Sequence, residues 1–132
     1  MDISDIVAAN REIELTHPKN DLPLGIHIEL LPMDAKPVKI VERRIRDTIM
    51  KAQQKGKPIK SAEIEANEIE LIMAAMVGWR WEADEARDVE QPKFDGEIPE
   101  FNPKNVRALL RKTWAREQID AELGSVADFF EA

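Results

Sequence analysis

The side chains able to act on a substrate or hold a metal are few in this chain, and their spacing does not bring them together. Histidine occurs twice, at His17 and His27, in or beside a stretch of alternating polarity. No third ligand is fixed near them by spacing, so two partly exposed histidines are the better reading than a metal pair. Glu63, Glu65, Glu68 and Glu70 crowd one segment, but no histidine follows at the i+3 position that a di-iron helix uses. They read as the solvated side of a helix. Ser4, Ser61 and Ser125 stand where helix caps are expected, without nucleophile-elbow neighbours. The five glycines are scattered, so no phosphate loop exists. The lack of cysteine removes disulfides, thiolate metal sites and cysteine nucleophiles. The expectation is a protein that is not an enzyme, uses no cofactor and no metal, and works through contact.

The elements that must position any contact surface can be read from periodicity. Ile3, Ile6 and Val7 fit one helical turn at the start. Ile13 and Leu15 alternate with Glu12, Glu14 and Thr16; after the turn residues His17 to Asp21, Leu24, Ile26, Ile28 and Leu30 alternate again. This predicts an antiparallel hairpin over 11–31 with one apolar face. A lone hairpin is marginal in water, so that face must cover helices or a neighbouring subunit. Asp34 is placed to cap a helix over about 35–55, stopped by Gly56 and Pro58. Its stripe is Val38, Val41, Ile45, Ile49 and Ala52, and its opposite side is basic. Ile40 and Met50 interrupt that basic side. A second helix is expected over 61–77, capped by Ser61 and stopped by Gly78. Ala62, Ala66, Ile69, Met73 and Met76 line one side of it, and Ile64, Leu71 and Ala75 the other. A helix apolar on two sides belongs at the centre of a fold, so Ala66 and Met73 are expected to be nearly inaccessible.

Residues 82–100 hold eight acids, two bases, Pro92, Gly96 and Pro99, an acidic loop long enough to be mobile or functional. Asn102 and Pro103 are residues suited to an N-cap and a first helical position. Helices follow over about 103–112 and 114–123, separated by a phase shift near Thr113, and Gly124 fits a left-handed helix end. Ser125 and Asp128 approximate a capping box for one last turn. The expected fold is mainly α (α+β), a single domain over 1–132 with a small N-terminal β-hairpin.

Composition narrows the class. Forty-three per cent hydrophobic residues is the content of a globular domain. The acidic start is not that of a signal peptide, and the longest apolar run, Leu71 to Val77, is far below the roughly 20 residues of a membrane span. A soluble protein is expected, with no membrane partner. Net charge is −7, but the blocks are more telling. Residues 1–35 hold seven acids and two bases, residues 36–60 nine bases and two acids, and residues 61–100 twelve acids and three bases. A basic block between acidic ones either binds nucleic acid or an acidic partner, or complements its neighbours within and between copies. The net negative field repels phosphate, which favours self-complementation and self-association. The basic segment 36–60 lacks interleaved aromatics, and its helices are not spaced as a helix-turn-helix, so nucleic acid is not the expected partner.

Six residues are candidate protein contacts. Ile40 and Met50 are apolar on a basic side; Phe129 and Phe130 lie too near the end for both to be buried; Trp79 and Trp81 are either contacts or core. On an extended segment the two tryptophans point the same way.

The last third resembles the tail assembly chaperones of lambda-like long-tailed (siphovirus) phages and prophages. The similar residues are Gly78-Trp79, then Phe101-x-Pro103-x-Asn105-Val106-Arg107-x-Leu109-Leu110, then Trp114, Glu117-Gln118-Ile119 and the terminal Phe129-Phe130. Pro23-Leu24-Gly25-Ile26 is similar to the start of such proteins. Arg80-Trp81-Glu82 and the length of the acidic loop have no counterpart in that pattern. The resemblance implies a protein that binds the tape measure protein, with the tail tube protein as a further partner, in the bacterial host cytoplasm. It implies absence from the mature virion and, in many members, a longer form made by ribosomal frameshifting. The alternatives are a structural head–tail or minor tail protein and a nucleic-acid-binding module using helix 36–60.

Overall fold

A computed structural model describes residues 10–124. The expected turn at Ile3–Val7, the last turn from Ser125, and Phe129 and Phe130 lie outside the described residues. The elements run β1 (Arg11–Thr16), β2 (Pro23–Leu30), α1 (Lys36–Gln54), α2 (Ser61–Ala75), β3 (Met76–Trp81), α3 (Pro103–Leu110) and α4 (Thr113–Leu123). The strands form one antiparallel sheet in the order β1-β2-β3. Helices take 49% and strands 21% of the described residues, so the fold is α+β and not mainly α.

The largest correction is at the end of α2. The expected helix over 61–77 stops at Ala75, and Met76 opens the third strand instead. The apolar spacing through Met73 and Met76 fits a helix equally well, and only pairing with β2 separates the two. Leu30 pairs with Met76 and Glu29 with Gly78, so Val77 is the extra residue of a β-bulge and is exposed. One face of the sheet carries Leu15, Ile26, Ile28, Leu30, Met76 and Trp81 into the core.

Helix α2 is buried only over its second half. Ile69, Leu71, Ile72 and Ala75 are core residues, whereas Ala66 is exposed and Met73 half-buried, contrary to expectation. The reason is that the first turns of α2 border an open groove, where Ala62 and Ala66 face Arg107 and Arg111 and only the long Glu65–Arg116 pair reaches across at 3.1 Å, so no apolar side chain covers them. Helix α1 lays Val38 and Ile45 against this layer and leaves Ile40 and Met50 exposed. Neither Asp34 nor Ser61 is a cap; Ala35 and Lys60 hold those positions, without side-chain hydrogen bonds. Asn102 does cap α3, its Oδ1 accepting from Asn105 N–H at 2.9 Å, and Gly124 ends α4 at φ 88°.

Both flanks of the sheet are tied down. The Gln118 amide accepts from Thr16 N–H at 2.9 Å and donates to Thr16 C=O at 2.8 Å. On the other flank Gln91 donates to the Trp81 carbonyl at 2.8 Å and Trp79 Nε1 to the Pro99 carbonyl at 3.1 Å. The acidic loop is therefore strapped along β3. It contains a three-residue 3₁₀ turn at Glu85–Arg87. It also holds a two-residue reversal at Asp95-Gly96, both at positive φ, that brings Phe94 and Glu97 into antiparallel contact. Asp-Gly is the pair such a turn demands.

Gly25, at φ 78°, sits where β2 shifts register, and its carbonyl accepts from Glu82 N–H at 2.9 Å. A Cβ there would overlap the Glu82 backbone carbonyl oxygen. Gly25→Ala is expected to cost more than the roughly 1–2 kcal/mol of a left-handed L-residue, because a strand end must also move; urea unfolding measures it. Ile69→Ala, at a site 7% exposed, is expected to cost about 2–5 kcal/mol. A loss below about half a kcal/mol would place Ile69 outside the core.

Candidate functional site

The aromatic side chains gather along β3. Trp79 and Trp81 project to the same side, as alternate residues of a strand must. Phe101 meets Trp79 edge-on at 5.3 Å, Trp79 meets Trp81 at 5.5 Å, and Trp81 meets Phe94 at 6.5 Å. The Lys112 amine lies 5.9 Å from the centre of the Phe94 ring, within cation–π range. Trp81 is buried at 6% exposure and is a core residue; Trp79 is half-buried against the same core. The Trp81 indole N–H has no acceptor among the described residues, a deficit of roughly 1–3 kcal/mol for a buried donor.

Trp81 and Phe94 also form one wall of an open cleft about 630 Å³ in volume. The β1–β2 turn supplies Leu22, β2 Leu24, and the end of α3 with the start of α4 Leu109, Lys112 and Trp114. The cleft opens to solvent, and Leu22 on its rim is 60% exposed. Its floor is apolar and aromatic, while its rim carries His17, Asp88, Glu90, Lys93 and Asp95. This is the composition of a surface that seats apolar side chains and orients them with charges at the edge. Phe94 and Leu22 were not among the residues that the sequence marked, and Trp114 was marked by the resemblance but not as a contact. The Asp95-Gly96 turn is the one local signal that folds Phe94 back beside Trp81.

The remaining candidates are dispersed. Ile40 and Met50 are 58% and 55% exposed on α1, away from the aromatic row. His17 is exposed, its Nδ1 accepting from Lys19 N–H at 3.1 Å. His27 lies on the polar face of the sheet, 3.5 Å from both Glu12 and Glu14. Among the described residues no three His, Asp or Glu side chains converge to hold a metal ion, and no helix is long and apolar enough to cross a membrane.

That polar face is an ion-pair lattice. Arg80 joins Glu12 at 2.6 Å and Glu82 at 2.9 Å. Arg87 reaches Glu14 with both terminal nitrogens, at 2.6 and 2.8 Å, and Asp84 through Nε at 2.6 Å. Glu14 also accepts from Gly25 N–H at 3.2 Å. The Arg87 hydrogen bonds hold the Glu14 carboxyl below its ordinary value, against the opposing effect of burial, with His27 helping by charge. Asp84 is lowered for the same leading reason. This lattice fixes the turn after β3 and so the wall of the cleft. Comparison with models of known families, with curated proteins and with solved structures gave no match.

A depressed carboxyl in the folded state contributes stability above its unfolded value, near 4.5, and loses it as pH falls through the folded value. The stability gap between the parent and Glu14→Gln is therefore expected to be widest at neutral pH and to close as the solution is acidified below about pH 4.5. Thermal melts of both proteins across that range measure it.

Proposed function

We propose that this chain is a tail assembly chaperone of a long-tailed phage, which binds the helical tape measure protein and keeps it soluble before the tail tube polymerises. The proposal takes the host cytoplasm as its place of action and leaves the chaperone out of the finished virion. The observation that carries the reading is the open aromatic cleft with exposed Leu22 at its rim. Its volume falls within the roughly 300–1,000 Å³ of sites that enclose ligand groups. A helix presented to it can bury side chains spaced three and four residues apart, as helix-in-groove recognition does. The resemblance of residues 101–119 to the chaperones supports the same reading, because Leu109 and Trp114 from that stretch line the cleft. A long apolar helical protein needs such cover until tube subunits replace it, and many copies along one substrate would add avidity.

The test is co-expression with a tape measure protein, followed by co-purification. Leu22→Glu alters a side chain that contributes little to the core, so its thermal midpoint is expected to stay within a few degrees of the parent. Capture of the tape measure protein is expected to fall at least tenfold, about 1.4 kcal/mol. Equal capture by parent and variant would move the contact elsewhere. Failure of the parent to bind, or its stoichiometric presence in purified virions, would replace the chaperone with a structural tail or connector protein. Retention on DNA that falls steeply with salt would favour a nucleic-acid module.

A further inference from the structure

We propose that the outer side of α1 is a docking surface for a second copy of this chain, and that it seats on the acidic groove formed by residues 94–100 and the start of α3. The α1 strip shares no residue with the aromatic cleft and the groove adjoins the cleft through Phe94 and Asp95; the inference does not rest on the chaperone reading.

The two surfaces are complementary in charge and in apolar content. On α1, Ile40 lies in a shallow strip with Arg43, Arg44, Asp47 and Lys51, and Met50 lies beside it. Ile40 and Met50 are each more than half exposed. Elsewhere Arg80, Arg87, Arg107 and Arg116 each meet a carboxylate at 3.1 Å or less. Arg43, Arg44 and Lys51 meet none among the described residues. The groove, about 540 Å³, presents Asp95, Glu97 and Glu100 around Ile98, with Lys104 as its one cation. Those three carboxylates are likewise unpaired among the described residues, and Ile98 is 55% exposed. An apolar centre ringed by cations thus exists on one surface, and an apolar centre ringed by anions on the other.

The two cannot meet within one molecule. Helix α1 packs on α2, and the strip containing Ile40 is on the side turned away from it. A contact that joins two different surfaces is head-to-tail and leaves one of each free for a further copy.

The test uses the purified full chain in sedimentation velocity. Mass is expected to rise with concentration at low salt and to fall back in 1 M salt, where the Debye length is about 3 Å. Ile40→Ser with Met50→Ser disables one surface, and Glu97→Ser with Ile98→Ser the other; each pair of changes, alone, is expected to weaken association at least tenfold. An equimolar mixture of the two variants retains one intact surface of each kind and is expected to form a 1:1 dimer and nothing larger. Arg43→Glu with Arg44→Glu is expected to abolish association, and adding Glu97→Lys with Glu100→Lys to the same chain to restore it. A parent that stays monomeric at low salt and high concentration, a mixture that gives no dimer, or a double swap that restores nothing would each overturn the proposal.

Discussion

Between Ala75 and Met76 the chain passes from helix to strand without a linking residue. The Leu31 N–H closes on the Ala75 carbonyl at 2.7 Å, so the exit of α2 is held by the far end of β2. That junction has no slack, and the helical and sheet layers are locked to one another there. Burial follows from it: Ile69, Leu71, Ile72 and Ala75, in the half of α2 next to the junction, are core residues, and the first turns are exposed. The direction of β3 then sets where Trp79 and Trp81 stand, and the strap of residues 82–102 must return along them to reach α3. The bulge at Val77 absorbs the mismatch between the helical and extended paths.

What was legible in the sequence was what repeats within one element. The alternation from Leu24 to Leu30, the stripe from Val38 to Ala52, the caps Asn102 and Gly124, and the break near Thr113 each need only local spacing. The third strand was not legible, because Met73 and Met76 satisfy a helical period and nothing near them records that β2 is waiting. Ala66 shows a different failure. An apolar residue in phase is buried only if something arrives to cover it, and alanine adds little that requires cover. The cleft was hidden for a third reason: Leu22, Phe94 and Trp114 come from three separated segments. Ile40 and Met50 were visible because each breaks a charged pattern by itself.

Ion pairs divide the surface into two kinds of territory. On the polar face of the sheet and along the α2–α3–α4 side, guanidinium and carboxylate groups meet at short range. These pairs are partly exposed, so each adds modest stability; their larger effect is to fix position, as Arg87 does for the turn beside the cleft. Arg43, Arg44 and Lys51 of α1 and Asp95, Glu97 and Glu100 of the loop meet no opposite charge among the described residues and keep their field for whatever approaches. A single net charge of −7 conceals this division.

The amide of Gln118 has a consequence beyond holding α4 against β1. By engaging both the N–H and the C=O of Thr16 it occupies positions that an incoming strand would need, and Gln91 takes the Trp81 carbonyl on the opposite flank. A three-stranded sheet is otherwise a template for runaway extension, a hazard that rises with copy number. A side-chain amide at the end of each edge strand makes pairing there with a further strand less favourable, which works against edge-to-edge growth where many copies crowd together.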